Sequence, residues 1–213
     1  MNIGVLGGTF DPVHLGHLII AEEVAVQLKL EKVLFVPSGH PWLKEERVIT
    51  PAEHRVGMLR LALASNHRFE ISLVDVERDG PSYTVDTLAD LKRQLGKSAL
   101  FFFILGWDSL RDLPLWREPA CIIEQCRLVA VGRPGLAKPG MSKLEAALPG
   151  ISQRVILLPK PLIGISSSEI RQRVSRGLSI KYLVPEAVER YIREKGLYIL
   201  RRPLRGIDAL YLK

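Results

Sequence analysis

The stretch GGTFDPVHLGHL at residues 7–18 decides how the rest of this sequence is interpreted. It follows an apolar run at residues 3–6, which predicts a buried parallel strand, and it leads into residues 18–26, whose apolar spacing predicts a helix packed on a sheet. A strand, a glycine turn and a helix N-terminus together favour phosphate binding, because glycines let backbone N–H groups approach an anion and the helix dipole adds positive charge. His14 and His17 lie three residues apart at the start of this helix, so both can face the same ligand.

The pattern alone leaves three interpretations of these histidines open. The sequence contains no G-x-x-x-x-G-K-[ST] motif of a Walker-type ATPase, no G-x-G-x-x-G dinucleotide motif and no H-E-x-x-H zinc motif. The histidines are therefore metal ligands, helix caps beside a tight turn, or a pair placed over nucleotide phosphates.

A second candidate anion site lies in the last third of the chain, where residues 165–171 read ISSSEIR. The serines predict a helix N-cap, and Arg171 follows one turn into that helix. Three hydroxyls, the N–H groups of a helix start and a guanidinium favour phosphate binding when they are considered together with the first site.

Further charged and aromatic residues follow predicted strands, where open α/β folds bind ligands. The loop at residues 38–44 places Lys44 as a phosphate contact, and Asp108 could hold ribose hydroxyls or orient a metal. Trp116 could stack on an aromatic ligand ring, and Arg133 could meet a phosphate. Each residue also has a purely structural interpretation. Lys44 could be a solvated ammonium and Asp108 a helix cap. Trp116 could be a core ring and Arg133 a surface arginine.

Strand-like and helix-like runs alternate along the chain, which predicts an α/β protein with a parallel sheet. The predicted strands cover residues 3–6, 32–37, 69–77 (as one or two short strands), 99–105, 127–131 and 154–159. The predicted helices cover residues 18–26, 51–65 with a capping box at Thr50, 84–95 with Ser82 or Thr84 as cap and Gly96 as stop, 141–148, a segment from about 166, and 185–195.

Composition sets the remaining expectations. The 213 residues, 47% hydrophobic and 25% charged, suit a cytoplasmic globular protein without a membrane span or a basic leader. The net charge of +7 suits acidic ligands, and the lack of interleaved aromatic and basic residues argues against a nucleic-acid partner. Cys121 and Cys126 match no common zinc spacing and are expected to be reduced thiols.

The two motifs, in this order, resemble the signature of the nucleotidyltransferase superfamily that carries H-x-G-H near its N-terminus and I-S-S-T-x-I-R near its C-terminus. The chain is most similar to the bacterial nicotinate mononucleotide adenylyltransferases. The resemblance implies a Rossmann-like doubly wound parallel sheet with a small helical C-terminal portion from about residue 166. It covers residues 1–198 and leaves residues 199–213 as an extension of unknown role. Where that family often reads P-P-H-K, residues 41–44 here read PWLK, so the lysine is kept and the histidine is not.

The resemblance also implies a reaction, in which the adenylyl group of ATP passes to nicotinate mononucleotide and pyrophosphate leaves. Mg²⁺ is expected on the ATP phosphates, held mainly by the substrate and water, with no metal ligand from the protein. His17 is expected at the α-phosphate, with His14 and Ser167 at the triphosphate, and the implied catalytic set is His14, His17, Lys44 and Arg171. The implied ATP-binding set is Gly7, Gly8, Thr9, Phe10, His14, His17, Gly106, Asp108, Ile165, Ser166, Ser167 and Arg171. The implied mononucleotide-binding set is Lys44, Tyr83, Thr84, Trp116 and Arg133.

Two rival functions stay open. One is a sibling adenylyltransferase that acts on nicotinamide mononucleotide or phosphopantetheine, and the other is a sensor that binds nucleotides without catalysis. The sequence also leaves open whether the chain forms a homo-oligomer.

Overall fold

A computed structural model describes residues 1–40, 49–96 and 98–199 of the chain. Its sheet has six parallel strands in the order β3-β2-β1-β4-β5-β6, the order of a doubly wound Rossmann-like sheet. The strands are β1 (Asn2–Gly8), β2 (Lys32–Pro37), β3 (Phe69–Ile71), β4 (Leu100–Gly106), β5 (Cys126–Val131) and β6 (Val155–Leu158). The predicted fold class is confirmed.

Helices cover both faces of this sheet. In the described ranges they are α1 (Leu15–Gln27), α2 (Ala52–Leu63), α3 (Val74–Glu77), α4 (Thr84–Leu95), α5 (Trp107–Asp112), α6 (Pro119–Gln125), α7 (Met141–Ala147), α8 (Ser167–Ser175) and α9 (Glu186–Glu194). Buried residues of α1, α2, α8 and α9 share one core, and those of α3 to α7 share the other. Within the part of the chain that the structure describes, no helix is both long enough and apolar enough to cross a bilayer.

The central strand β4 explains why its sequence is apolar without alternation. Phe101, Phe103 and Leu105 point into the core beneath α4 to α7, whereas Phe102 and Ile104 point into the core beneath α1, α2, α8 and α9. Since successive side chains of a strand point to opposite faces, a strand covered on both sides buries its central residues, here 101–105, while Leu100 at its start stays exposed.

The winding places the first and last helices on the same face of the sheet. Ile170 of α8 and Val188 of α9 pack in one core with Val24 of α1 and Met58 of α2. Because α1 follows β1 directly, the start of α1 lies at the edge where the strands end. The fold therefore brings the two sequence motifs to one side of the sheet although they are far apart in the chain.

Three local predictions were wrong. The segment at residues 69–77 forms one strand, β3, followed by the short helix α3 rather than a second strand. Pro51 precedes α2 without a side-chain cap, so the predicted capping box at Thr50 does not form. Neither Ser82 nor Thr84 caps α4, since Tyr83 occupies the cap position and no side-chain hydrogen bond caps the helix there. The predicted stop of α4 at Gly96 is confirmed, and its φ of 85° suits glycine.

Candidate active site

The loop between β1 and α1 carries the first motif, and Phe10 turns inward from it. Phe10 has a positive φ of 50°, and the whole residue is 2% exposed. The ring packs edge-to-face on His17, with 5.0 Å between the ring centroids. Phe10, predicted to bind ATP, therefore acts chiefly from within the core, where its ring supports His17.

The two histidines of the motif lie stacked on each other. Their ring centroids are 3.6 Å apart, with an interplanar angle of 22°. The backbone N–H of His14 donates to Nδ1 of His17 over 3.2 Å. Because Nδ1 accepts this hydrogen bond, the neutral His17 ring carries its proton on Nε2, which makes Nε2 a hydrogen-bond donor.

His14 differs from His17 in its electrostatics. Its side chain is buried at 5% exposure, and it occupies the N-cap position of α1. Burial, followed by the nearby positive charge of Arg133, lowers the pKa of His14 from 6.5 to about 4. His14 is therefore neutral at pH 7, so it can offer an incoming phosphate a hydrogen bond but no full positive charge.

Gly16 has a structural purpose that the motif did not reveal. A Cβ atom at this position would lie 3.0 Å from Nδ1 of His14 and 3.0 Å from Cγ2 of Ile163. Such distances are shorter than ordinary packing allows. The glycine of H-x-G-H thus lets the His14 ring lie against the start of α1.

The second motif docks directly onto the loop of the first. Ser167 Oγ donates to the carbonyl of Pro12 over 2.9 Å, and Arg171 donates to the carbonyl of Asp11 and, over 3.0 Å, to Ser168 Oγ. Ser166 is the N-cap of α8, since its Oγ accepts the backbone N–H of Glu169. The predicted serine cap is confirmed.

These contacts change how the serines can act on a phosphate. A hydroxyl has one proton, and that of Ser167 is already donated to Pro12. In this arrangement an anion at the start of α8 would be met by backbone N–H groups and by Arg171, rather than by the proton of Ser167.

The two motifs line one cleft of about 350 Å³. The imidazole of His17 and residues 166–168 thus border the same cleft. The lining residues are Gly8, Thr9, Phe10, Asp11, His14, His17, Ile49, Arg133, Ser166, Ser167, Ser168 and Arg171. Two further predicted residues are neighbours of this lining in the chain. Gly7 precedes Gly8 at the end of β1, and Ile165 precedes Ser166 at the start of α8.

The charged residues predicted beyond β4 and β5 contact each other. Nη1 of Arg133 lies 2.8 Å from a carboxylate oxygen of Asp108, and their side chains are 45% and 42% exposed. A Cβ atom at Gly106, the last residue of β4, would lie 2.3 Å from Oδ1 of Asp108. An exposed pair of this kind contributes about 0–1 kcal/mol, so a nucleotide can separate the two groups at low cost.

Aromatic residues lie near the same carboxyl ends of the strands, on the face of the sheet that α3 to α7 cover. Trp116 is half-buried and packs edge-to-face on Phe103, with 6.2 Å between centroids. Tyr83 precedes α4, and the guanidinium of Arg117 lies 4.7 Å from the centroid of its ring. The start of α4, at Thr84, is therefore next to the segment that carries Trp116.

Sequence reasoning missed a buried polar network behind the first loop. Arg55, 1% exposed, donates to the carbonyls of four residues, and Tyr198 donates to Oδ1 of Asp11 over 2.7 Å. Burial raises the pKa of Tyr198, and the Asp11 carboxylate raises it further. A signal for Arg55 did exist, because it precedes Val56 and Leu59 on the buried face of α2. An arginine at such a position needs buried partners.

Ser82 is a second missed residue. Its Oγ accepts the backbone N–H of Gly39 over 3.0 Å and that of His40 over 3.3 Å. The residue expected to cap α4 therefore fixes the segment that follows β2. Lys44, predicted as a catalytic and phosphate-binding residue, and the neighbouring residues 41–43 lie outside the described residues, as do residues 200–213 of the predicted extension.

Comparison with known proteins supplies a context for this geometry. Residues 5–173 match the model of the cytidylyltransferase-like family. A protein of Dehalococcoides mccartyi named "Probable nicotinate-nucleotide adenylyltransferase" is 47% identical over 198 residues, which is 93% of this chain and 97% of the relative. A protein of Thermomicrobium roseum with the same name is 50% identical over 92% of this chain and 91% of its own length.

A solved structure also shares the fold. It is that of Plasmodium falciparum nicotinic acid mononucleotide adenylyltransferase complexed with NaAD, with a TM-score of 0.75 over 92% of this chain and 97% of that chain. At 22% identity, this likeness concerns the arrangement of the elements alone.

Proposed function

The chain belongs to the nicotinate-nucleotide adenylyltransferase family, within the cytidylyltransferase-like proteins, and from this premise we propose that it transfers the adenylyl group of ATP to nicotinate mononucleotide. The products are nicotinate adenine dinucleotide and pyrophosphate. One observation of the structure carries the proposal, namely that the H-x-G-H loop and the start of α8 line a single cleft. Such a cleft can hold one triphosphate between two groups of donors.

The chemistry needs alignment more than acid–base catalysis. A phosphate oxygen of the mononucleotide attacks the α-phosphorus of ATP, a new P–O bond forms, and the bond from the α-phosphorus to the α,β-bridging oxygen breaks. Pyrophosphate leaves with that electron pair. The nucleophile is already largely a dianion at pH 7, because its second pKa is about 6, so no residue must remove a proton. Holding the two phosphates in line and stabilising developing charge are the remaining tasks.

The cleft residues fit these tasks. The Nε2–H group of His17 can donate to the α-phosphate, where negative charge develops. His14, neutral at pH 7, can add a hydrogen bond to the triphosphate. Arg171 is held by its bonds to Asp11 and Ser168, so its guanidinium is oriented before the ligand arrives.

We propose that Mg²⁺ enters as part of the substrate MgATP. Within the described ranges, no group of three or more His, Cys, Asp or Glu residues is arranged to hold a metal ion. Asp11 already accepts from Tyr198, and Asp108 is paired with Arg133. Phosphate oxygens and water, which Mg²⁺ usually keeps as ligands, would then complete its coordination.

We assign Tyr83, Thr84, Trp116, Arg133 and Lys44 to the mononucleotide. The N-terminus of α4, at Thr84, suits the carboxylate of a nicotinate ring better than a neutral amide, because a helix start favours negative charge. This supports nicotinate mononucleotide over its nicotinamide counterpart. A cytoplasmic location and a homo-oligomer stay predictions.

The reaction is tested by supplying MgATP with one acceptor at a time and measuring pyrophosphate. Nicotinate mononucleotide, nicotinamide mononucleotide and phosphopantetheine are the three acceptors to compare. We expect the highest kcat/KM with nicotinate mononucleotide, and a sibling transferase would instead prefer one of the other two. If ATP binds but no acceptor releases pyrophosphate, the chain is a nucleotide sensor and the proposed function fails.

A further inference from the structure

Arg55 is the largest fully buried side chain of the described residues, and it bonds only to main-chain carbonyls. Its Nε donates to Thr50 over 2.8 Å, and its Nη1 donates to Thr9 over 2.9 Å and to Ser38 over 2.7 Å. Its Nη2 donates to Gly39 over 3.4 Å. We call these four hydrogen bonds the Arg55 clamp.

The Arg55 clamp joins two loops that leave the sheet side by side. Thr9 follows β1, and residues 38–39 follow β2, which pairs with β1 so that Gly8 lies opposite Pro37. Thr9 belongs to the lining of the triphosphate cleft. The segment after β2 leads toward Lys44 in the sequence.

The segment after β2 is also fixed from its opposite side. Ser82 accepts the N–H groups of Gly39 and His40, while Arg55 takes the carbonyls of Ser38 and Gly39. A Cβ atom at Gly39 would lie 2.2 Å from the carbonyl oxygen of Asp75. Arg55 and Ser82 therefore hold one strand end between the triphosphate cleft and the start of α4.

The positive charge of the Arg55 clamp is balanced locally. Burial lowers the pKa of Arg55, and the Asp11 carboxylate partly opposes this shift by favouring the charged guanidinium. Tyr198 and the backbone N–H of Thr50 each donate to one oxygen of Asp11, over 2.7 Å and 3.4 Å. The carboxylate is thus held in place and remains available to the buried arginine.

We propose that Arg55 is a positioning residue for adenylyl transfer, because the Arg55 clamp sets the ATP loop at the distance from the acceptor side that in-line attack requires. This inference rests on the proposed function. Arg55 is 1% exposed and is not part of the cleft lining, so it acts through the loops it holds, and a misplacement of reacting groups by about 1 Å can cost on the order of 100-fold in rate. A lysine cannot replace it, because a single ammonium lacks the planar fork that reaches three chain segments at once.

The test compares Arg55→Lys with Arg60→Lys, a matched change on the exposed side of the same helix. For Arg55→Lys we expect kcat to fall roughly 10- to 100-fold while KM for both substrates stays within about threefold. Arg60→Lys should leave both constants unchanged. A folded Arg55→Lys protein with the kcat of the wild type would overturn the proposal, as would an equal rise in KM for both substrates with kcat unchanged.

A second variant covers the case in which Arg55→Lys does not fold. Tyr198→Phe removes only the hydroxyl that holds Asp11, and we expect a fall of roughly fivefold in kcat with an unchanged circular dichroism spectrum. If Tyr198→Phe lowers the melting temperature but keeps the wild-type kcat, the network serves stability alone and the proposal is overturned.

Hydrogen exchange separates this inference from the proposed function. Amides of residues 9–11 and 38–40 should exchange roughly tenfold faster in Arg55→Lys than in Arg60→Lys, whatever the substrate proves to be. If the wild type releases no pyrophosphate with any acceptor, the proposed function fails, and faster exchange still supports the Arg55 clamp as the link between the two loops. Unchanged exchange in a folded Arg55→Lys protein contradicts the link itself.

Discussion

The triphosphate cleft and the mononucleotide side of the site are built in different ways. The cleft rests on buried groups such as Asp11 and His14, which are 4% and 5% exposed, and on side chains bonded to main-chain carbonyls. The mononucleotide side begins at Arg133, which also borders the cleft and is paired with Asp108, a residue expected to bind ATP; both side chains are nearly half exposed. The first region is already organised before a ligand binds, whereas the second must exchange its own ion pair for contacts to the nucleotide. We therefore expect changes in the cleft to act mainly on kcat and changes on the other side to act mainly on KM.

The largest expected effect comes from removing the donor at the α-phosphate. His17→Ala should lower kcat by roughly 100- to 1,000-fold, the usual cost of losing one donor that stabilises developing charge. Steady-state release of pyrophosphate measures it, and His67→Ala, an exposed histidine, is the control. A His17→Ala protein that turns over at the rate of the wild type would remove His17 from the mechanism.

The burial of His14 predicts a dependence of stability on pH. Its pKa is lowered from 6.5 to about 4, so between these values the unfolded chain binds a proton that the folded chain excludes. This part of the stability is present above pH 6.5 and is lost as the pH falls toward 4, by about 3 kcal/mol in total. Urea unfolding at pH 7 and pH 4 should show a drop that is smaller in His14→Asn than in the wild type by about this amount. Equal drops in the two proteins would mean that His14 titrates normally.

Trp116 tests whether the more exposed region governs acceptor binding. Trp116→Ala should raise KM for nicotinate mononucleotide by roughly 2- to 13-fold, the usual worth of one aromatic contact, with little change in kcat. The nucleotide should also quench tryptophan emission in the wild type and less so in Trp116→Phe. Trp107 provides the emission that the nucleotide should not quench, since its ring is buried and its Nε1 donates to the carbonyl of Ala130. If quenching and KM are the same in Trp116→Ala and Trp116→Phe as in the wild type, Trp116 does not stack on the ligand.

The smallest effect concerns the pair between Asp108 and Arg133. Asp108→Asn should change the free energy of unfolding by less than about 1 kcal/mol, because exposed ion pairs contribute little. KM for ATP should respond more than stability, since Asp108 is expected to bind the ribose of ATP. A loss of several kcal/mol in urea unfolding would show that the pair is structural, and the contrast between the two regions would then break down.

Local patterns predicted most of the fold because local causes produce it. The strand that ends at Pro37 follows from a run of apolar residues. The stop of α4 at Gly96 follows from a positive φ that glycine adopts easily. The meeting of the two motifs could be predicted because parallel strands share one edge at which their loops gather.

The missed features depend on partners that are distant in sequence. The hydroxyl of Tyr198 bonds to Asp11, and Ser82 accepts from Gly39 instead of capping its own helix. Propensities for capping weigh only neighbouring residues, so they assigned Ser82 and Thr50 to helix ends. The inward turn of Phe10 is equally invisible, since the motif names the residue but not the sign of its φ.

The hydrogen bond from Tyr198 to Asp11 closes a loop of 187 residues across the fold. During translation the first loop therefore leaves the ribosome long before its anchor has been made. A nascent chain that stops before α9 could still hold this loop through Arg55, Ser167 and Arg171, but it would lack the bond that fixes the Asp11 carboxylate. Full support of the Asp11 carboxylate is thus reached only once synthesis has passed Tyr198.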